Sequence, residues 1–447
     1  MSRSTRVPAA RPIPDVVPAG AMKVPAPRTR VLANGLTVWA VRKPGIPLVQ
    51  LRLVLPSGRV RSTPAERARQ RVLGRTLLAG TNRRSQNDLA AQLQGLGGGL
   101  AAGVDAEDVS LSGSALATEL AALLDIVAEV LAESTFPRQE VATEQRRLQE
   151  ELAMAASQPS TIARLALTSR VYGSHPYGDA LPSAEQVGRV TRRQLGAYLA
   201  ERVGPAAGHL VLVGDVPPGR LLDAAEAALG DWSSGSPAQH LPAPGPFQPG
   251  PTVLVDRPGS VQTSLRLAGP AVPRQHPDAA ALALAVTIFG GSFSSRLNAN
   301  LREDKGWTYS PHAGIEHLQA ASLLTVSAEV ATEVTAPSLV EIAYELGRMA
   351  TQPVSAEELE AARRYRVGST ALSLQTQSGL ANQLVVLASV GLDVTWLSGL
   401  PARFAAVTVD DVLRVSQHYL APGRLTTILV GDAGRIRTDV EALGPIA

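Results

Sequence analysis

The feature that most constrains this chain is that it repeats itself. Shifted by 217 residues, Leu212-Val213-Gly214-Asp215 falls on Leu429-Val430-Gly431-Asp432, and Val190-Thr191 falls on Val407-Thr408. The same shift sets Leu36-Thr37-Val38 on Val253-Leu254-Val255. In both halves the threonine opens a capping box, Thr191-x-x-Gln194 and Thr408-x-x-Asp411, in which a side-chain oxygen satisfies orphan amides at a helix start. Ungapped agreement at three separated places implies a duplication, so whatever fold one half adopts the other adopts too. A chain of 447 residues is long enough for two cores. Between the halves, 233–250 reads SSGSPAQHLPAPGPFQPG, a composition that cannot build a core and predicts a linker. Domains are expected over 29–232 and 251–447. Residues 1–28, rich in Pro, Ala and Arg without a period, are expected to form a disordered or extended tail.

Within each half, strands come in hairpins and helices in pairs. Val/Leu alternation predicts strands over 35–42 and 48–55, and the Gly97-Gly98-Gly99 break introduces two more over 99–104 and 108–114. Helices are expected over 64–79, 87–94 and 116–133, with another from about 137 through 154. The second half repeats the plan, with helices over 277–289, 335–350 and 355–373 and strands near 313–318 and 322–328. Ser355-x-x-Glu358 marks the start of the last helix. This pattern predicts an α+β fold, two homologous α/β-sandwich domains, and argues against a doubly wound parallel sheet.

Several chemistries are excluded at once. The chain has no Cys, so disulfides, thiolate metal sites and thiol nucleophiles are absent. No two of its seven His lie three or four residues apart, so no helical pair is available to seed a metal site. No run of eighteen apolar residues exists, and no membrane partner is expected. Arg supplies nearly all the positive charge, Lys occurring only at Lys23, Lys43 and Lys305, but it is dispersed among acids. With only 4% aromatic residues, nucleic-acid binding is not expected. The N-terminal segment has no apolar signal core, which points to the cytoplasm, or to the periplasm should a signal segment have been missed.

Further strings carry a likeness to a known family. They are Asn34-Gly35-Leu36, Gly80-Thr81, Leu96-Gly97-Gly98, His175-Pro176-Tyr177-Gly178 and the two Val-Gly-Asp turns. The most specific stretch runs from Phe289-Gly290-Gly291 through Ser295-Arg296-Leu297 and Leu301-Arg302-Glu303 to Gly306-Trp307-Thr308-Tyr309. With these residues the chain resembles the pitrilysin/insulinase zinc metallopeptidases, over nearly all of its length after residue 29.

The resemblance also exposes a departure. Active members carry H-x-x-E-H on the first helix, two histidines binding zinc and the glutamate serving as general base. Counting back from Gly80-Thr81, the matching positions here are Arg71, Gly74 and Arg75. Guanidinium offers only donors and does not deprotonate, and glycine offers no base. No cofactor is therefore expected on this chain. The family's third ligand and a nearby acid match Glu151 and Glu144, seven apart on one helical face. These read either as solvated, Arg-paired acids or as partners that neutralise Arg71 and Arg75 in a buried cluster where zinc would sit.

The second half keeps what the first lacks. Family members use an Arg and a Tyr seven residues apart to hold substrate near another domain's metal, and Arg302 and Tyr309 match both positions and spacing. Read alone, Tyr309 is equally a strand aromatic with its hydroxyl in solvent, and Arg302 a partner of Glu303 or Asp304. His312 and His317 read as ordinary polar residues flanking a strand, and His175 as a local turn residue. Only Gly291 to Ser295 separate Gly290 from Arg296, too few for the long glycine-rich loop of the non-catalytic mitochondrial processing peptidase subunit. The resemblance implies a non-catalytic subunit of a heterodimeric metalloendopeptidase. Its partner would be a homologous subunit bearing H-x-x-E-H and zinc, and its substrate an extended peptide. The alternatives are an assembly protein of the same fold and a homodimer that binds peptides without cutting them.

Overall fold

The computed structural model describes residues 22–56, 63–105, 107–178, 181–235 and 241–447. In the first half, β1 (Arg28–Val31), β2 (Thr37–Arg42) and β3 (Leu48–Pro56) lead into α1 (Pro64–Thr76) and α2 (Gln86–Gly95). The hairpin of β4 (Gly99–Val104) and β5 (Asp108–Leu116) precedes α3 (Leu120–Glu133), α4 (Arg138–Ser157) and α5 (Pro159–Tyr172). Two helices, α6 (Ala184–Gly188) and α7 (Arg192–Arg202), come before β6 (His209–Gly214) and α8 (Pro218–Leu229).

The second half opens with β7 (Val253–Asp256), β8 (Gln262–Pro270) and α9 (Ala279–Val286). Two wide helical turns, Thr287–Gly291 and Ala299–Asp304, flank the short α10 (Arg296–Asn298). The hairpin of β9 (His312–His317) and β10 (Ser322–Ala331) is followed by α11 (Thr335–Thr351), α12 (Ala356–Ser373) and α13 (Gln377–Ser389). Next come α14 (Val394–Ser398), α15 (Leu400–Ala406) and α16 (Val409–Val415), then β11 (Thr426–Gly431) and α17 (Ala433–Glu441).

The duplication is visible in the sheets. The first has the order β1-β2-β6-β3-β5-β4 and the second β7-β11-β8-β10-β9. Setting β1 aside, the two orders are the same, with β2–β6 and β7–β11 the parallel pairs. Both threonine capping boxes form, Thr191 with Gln194 and Thr408 with Asp411. One part of the sequence alignment is corrected by register. Leu254 pairs with Leu429, whereas Leu212, the counterpart of Leu429, pairs with Ala40. Ala40, not Thr37, is thus the equivalent of Leu254, and the ungapped match of the opening strands is three residues out of step.

Each half packs its own helices on one face of its sheet. The other face is sealed by the other half. Helix α5 lies across β8 and β11, and its counterpart α13 lies across β3 and β6. The residues show why. β6 is buried on both sides, and its side chains alternate between two cores, the rule for a strand. Leu210 and Leu212 join the first-half core, while Val211 and Val213 join Leu380 and Leu384 of α13 in the second-half core. Reciprocally, Ala163, Leu167 and Tyr172 of α5 pack on Ala268, Ile428 and Val430.

Polar clips fix the exchange. Arg52 donates to Asn382 Oδ1 at 2.6 Å and Ser378 Oγ at 2.7 Å, and Gln377 Nε2 donates to the carbonyls of Lys43 (2.8 Å) and Ile46 (2.9 Å). Residues 1–21 lie outside the described residues, but Met22 is buried in the second-half core with Val24 against it, and β1 begins at Arg28. Residues 279–304, apolar enough by composition and length to cross a membrane, are mostly buried here.

Truncating Leu384, fully buried under the other half's sheet, should cost about 2–5 kcal/mol as Leu384→Ala. Urea unfolding followed by far-UV and near-UV signals should show one shared transition moving to lower denaturant. Two separated transitions would contradict the interlock.

Candidate functional site

The structure gathers four of the first-half residues and leaves one aside. Arg71, Gly74 and Arg75 from α1 and Glu151 from α4 line one cavity of about 410 Å³, roofed by Ala102, Gly103 and Val104 of the edge strand β4. Arg75 forms an ion pair with Glu151. The expected buried cluster is corrected by exposure: the Arg75 and Glu151 side chains are 46% and 51% accessible. Such a pair sits in high dielectric and is screened, so it stabilises by about 0–1 kcal/mol at most. Glu144 does not line the cavity and instead accepts from Arg147 at 2.6 Å, one turn along the same helix. Among the described residues no cluster of three His, Cys, Asp or Glu is arranged to hold a metal ion. The donor set at the zinc position does not fit zinc, since two of its four residues are guanidiniums and one is glycine.

Gly74 also has a packing reason. A Cβ built there would meet Val104 Cγ2 at 3.0 Å, so β4 lies closer to α1 than a side chain at 74 allows without adjustment. Gly74→Glu should therefore destabilise by about 1–3 kcal/mol through overpacking, and Val104→Ala in the same chain should recover most of that loss. Urea midpoints of the two single variants and the double variant at pH 7 give the coupling. Additive losses would refute the contact.

The second-half pair is brought together. The Arg302 guanidinium is stacked between two rings, its Cζ 4.8 Å from the Tyr309 centroid and 4.7 Å from that of Phe293. Both rings are open to solvent, Tyr309 at 79% and Phe293 at 66% accessible. Arg302 Nε lies 3.2 Å from a Glu303 carboxylate oxygen, so the surface-partner reading of Arg302 holds alongside its pairing with Tyr309. Phe293 was not singled out by sequence reasoning. Its signal was its place in the Gly-Gly-Ser-Phe-Ser-Ser string, an apolar ring among turn-formers.

Two asparagines position this stack. Asn298 Nδ2 donates to the carbonyls of Ser292 and Pro311, each at 3.1 Å, tying the Phe293 loop to the chain just after Tyr309. Asn300 Nδ2 donates to Glu341 at 2.9 Å and Glu345 at 3.0 Å, which anchors the wide turn carrying Arg302 onto α11. Wide turns of this type recur at functional sites because they re-aim side chains that a regular helix would point elsewhere. Gly290 lets that region approach β9, since a Cβ there would stand 2.8 Å from the Ala313 Cβ.

Arg296 of the same stretch holds α12. It donates two bonds to Glu358, 2.7 and 2.9 Å, while Glu358 also closes the Ser355 capping box. The Arg296 bonds, with help from Ser355, hold the Glu358 carboxyl below its ordinary 4.5. A depressed carboxylate stabilises the fold above the unfolded value and loses that contribution as pH falls through the folded one. Glu358→Gln should thus cost on the order of 1 kcal/mol at pH 7, discounted for partial exposure, and the gap to wild type should close as pH falls from 7 to below the ordinary carboxylate value. Thermal melts across that range test it, and a gap independent of pH would contradict it.

These features describe a peptidase-type duplicated scaffold whose metal position holds no metal-binding set, with an aromatic-clamped arginine in its second half. Comparison with known proteins agrees. Residues 37–185 match the family model described as insulinase (peptidase family M16), and residues 189–365 match the model described as the peptidase M16 inactive domain. The chain belongs to the M16 peptidase family. It is 24% identical over 406 residues to an uncharacterized zinc protease of Streptomyces coelicolor, covering 88% of this chain and 87% of that one. An uncharacterized zinc protease of Bacillus subtilis is 23% identical over 344 residues, 77% and 83% of the two chains. A solved peptidase M16 inactive domain from Pseudomonas fluorescens superposes with a TM-score of 0.82 at 24% identity, covering 91% of this chain and 98% of its own. A protease from Helicobacter pylori gives 0.80 at 17% identity over 92% and 100%.

Proposed function

We propose that this chain is the non-catalytic, substrate-binding subunit of a heterodimeric metalloendopeptidase, working on a zinc ion held by a homologous partner with an intact H-x-x-E-H helix. The observation that carries the reading is the contrast between the two halves. The zinc position holds Arg71, Gly74 and Arg75, while a half-buried Arg302 stands stacked on a solvent-exposed Tyr309.

The chemistry of that pair suits peptide hydrolysis in trans. Stacking between Phe293 and Tyr309 restricts the guanidinium plane and leaves its edge to donate to a peptide carbonyl. The Tyr309 hydroxyl would donate to the oxygen that becomes negative as water adds to the scissile carbon. Zinc on the partner would supply the activated water, and this chain's residues would bind and orient the peptide. An extended peptide would add as a strand on an open sheet edge. β4, whose only strand partner among the described residues is β5, offers such an edge beside the first-half cavity.

The test is reconstitution with an M16 partner carrying the intact motif. A fluorogenic peptide should be cleaved by the mixture and by neither chain alone. Tyr309→Phe should lower kcat by roughly 10²–10³, the usual loss for one oxyanion donor, with little change in KM. Full activity of the mixture with Arg302→Ala and Tyr309→Phe together would reject the reading in favour of an assembly role, as would cleavage by this chain alone.

A further inference from the structure

The second half contains its own version of the first-half cavity, in the same place and again lined by arginines, but without the carboxylate that Glu151 supplies in the first. Register fixes the equivalence. Gly113 of β5 and Ala328 of β10 hold matching positions, because each faces a counterpart residue of the next strand, Leu51 of β3 and Leu265 of β8. Carried one strand further, Ala102-Gly103-Val104 of β4 correspond to Ala313-Gly314-Ile315 of β9. The first triplet roofs the degenerate zinc cavity, and the second lines a larger cavity of about 640 Å³. Its walls come from α9, β9 and α12, the counterparts of α1, β4 and α4, and from α14 and α15.

The lining is cationic. Arg274, Arg366 and Arg403 face it together with His276, His312 and His317, and among the described residues no aspartate or glutamate lines it. Arg403 is accounted for, since it donates to the Trp396 carbonyl and stacks on the Trp396 ring at 4.8 Å. Arg274 and Arg366 are not. Among the described residues neither has a carboxylate partner or a hydrogen-bond acceptor, and the two guanidiniums lie near enough to disfavour each other's charge. Asp278, the acid beside His276, is already engaged by Arg414 at 2.8 Å and the Tyr419 hydroxyl at 3.2 Å. In the first-half cavity, by contrast, Arg75 has Glu151.

Burial and the two arginines together push His317 down to about 4, so at neutral pH it is uncharged and its Nδ1 stands 2.9 Å from Ser322 Oγ. It closes β9, as expected of a strand-flanking residue. It adds hydrogen-bonding capacity without adding to the repulsion. Arg274 is half-buried and Arg366 more exposed, and two guanidiniums facing one recess without counter-charge repel each other, a repulsion relieved by an anion that accepts from both. Around them Ala283, Ile315, Leu400 and Phe404 supply an apolar surface. The volume falls within the range of small-molecule sites.

We infer that this cavity is a binding site for a small organic anion, its carboxylate or phosphate group held by Arg274 and Arg366 and its apolar body lying against Ile315, Leu400 and Phe404. The site is independent of the peptidase reading, since it requires neither a partner chain nor Tyr309.

Calorimetric titration of the full chain at pH 7 with phenyl phosphate and with phenylacetate tests it, with sodium chloride at matched ionic strength and benzyl alcohol as controls. At least one of the two anions should bind saturably, one site per chain, while benzyl alcohol should not. The preferred anion identifies the group the site takes. Arg366→Gln and Arg274→Gln should each weaken binding at least tenfold, and Arg366→Lys, which keeps the charge, should weaken it less. Without ligand, both glutamine variants should melt no lower than wild type, because each removes one of two repelling cations. The inference falls if neither anion binds above the chloride control, or if both glutamine variants bind as wild type does. It also falls if both melt lower while unliganded, since that would reveal a structural partner for the charges.

Discussion

The interaction on which the rest of this molecule depends is the exchange of α5 and α13. A sheet with one face on its own helices still presents a second apolar face, and burial of that face is the main driving force available to hold it. Here each half supplies the cover for the other. The alternation along β6 makes the point residue by residue: Leu210 and Leu212 belong to one core, Val211 and Val213 to the next. Neither half can bury its own strands completely, so the duplication is a structural requirement as well as a record of descent.

Seen from that interlock, the two cavities form a pair with diverged contents. Both lie between the first helix after the opening strands, the edge strand and the second helix of the following pair. The first is lined by Arg71, Arg75 and Arg164 with one carboxylate, Glu151, and the second by Arg274, Arg366 and Arg403 with no carboxylate among the described residues. The same frame holds no metal-binding set in the first and, among the described residues, no acid in the second. Fold and function are separable here in the ordinary way, the frame being set by packing and the chemistry by the residues placed on it.

Much of this was legible in the chain. Strand alternation placed β2, β3, β4 and β5 within a few residues, and the Thr191, Thr408 and Ser355 boxes marked three helix starts because capping is a local interaction between neighbours in sequence. The loss of metal ligands was readable because it depends on residue type alone. What could not be read depends on contacts between distant segments. Phe293 meets Arg302 only because Asn298 ties its loop to Pro311. The cation-lined cavity draws Arg274, His317 and Arg366 from three elements whose meeting is a property of the sheet. The three-residue slip of β7 shows the same limit, since identical strings can align in sequence while hydrogen bonding sets another register.

The exchange has a mechanical corollary. Helix α4, which forms a wall of the first cavity, passes into α5 through Gln158 alone, and α12, which forms a wall of the second, passes into α13 through three residues. Links this short leave no slack. A tilt of either wall is therefore delivered to the sheet of the opposite half, which makes the two recesses a coupled pair of levers on a shared spine.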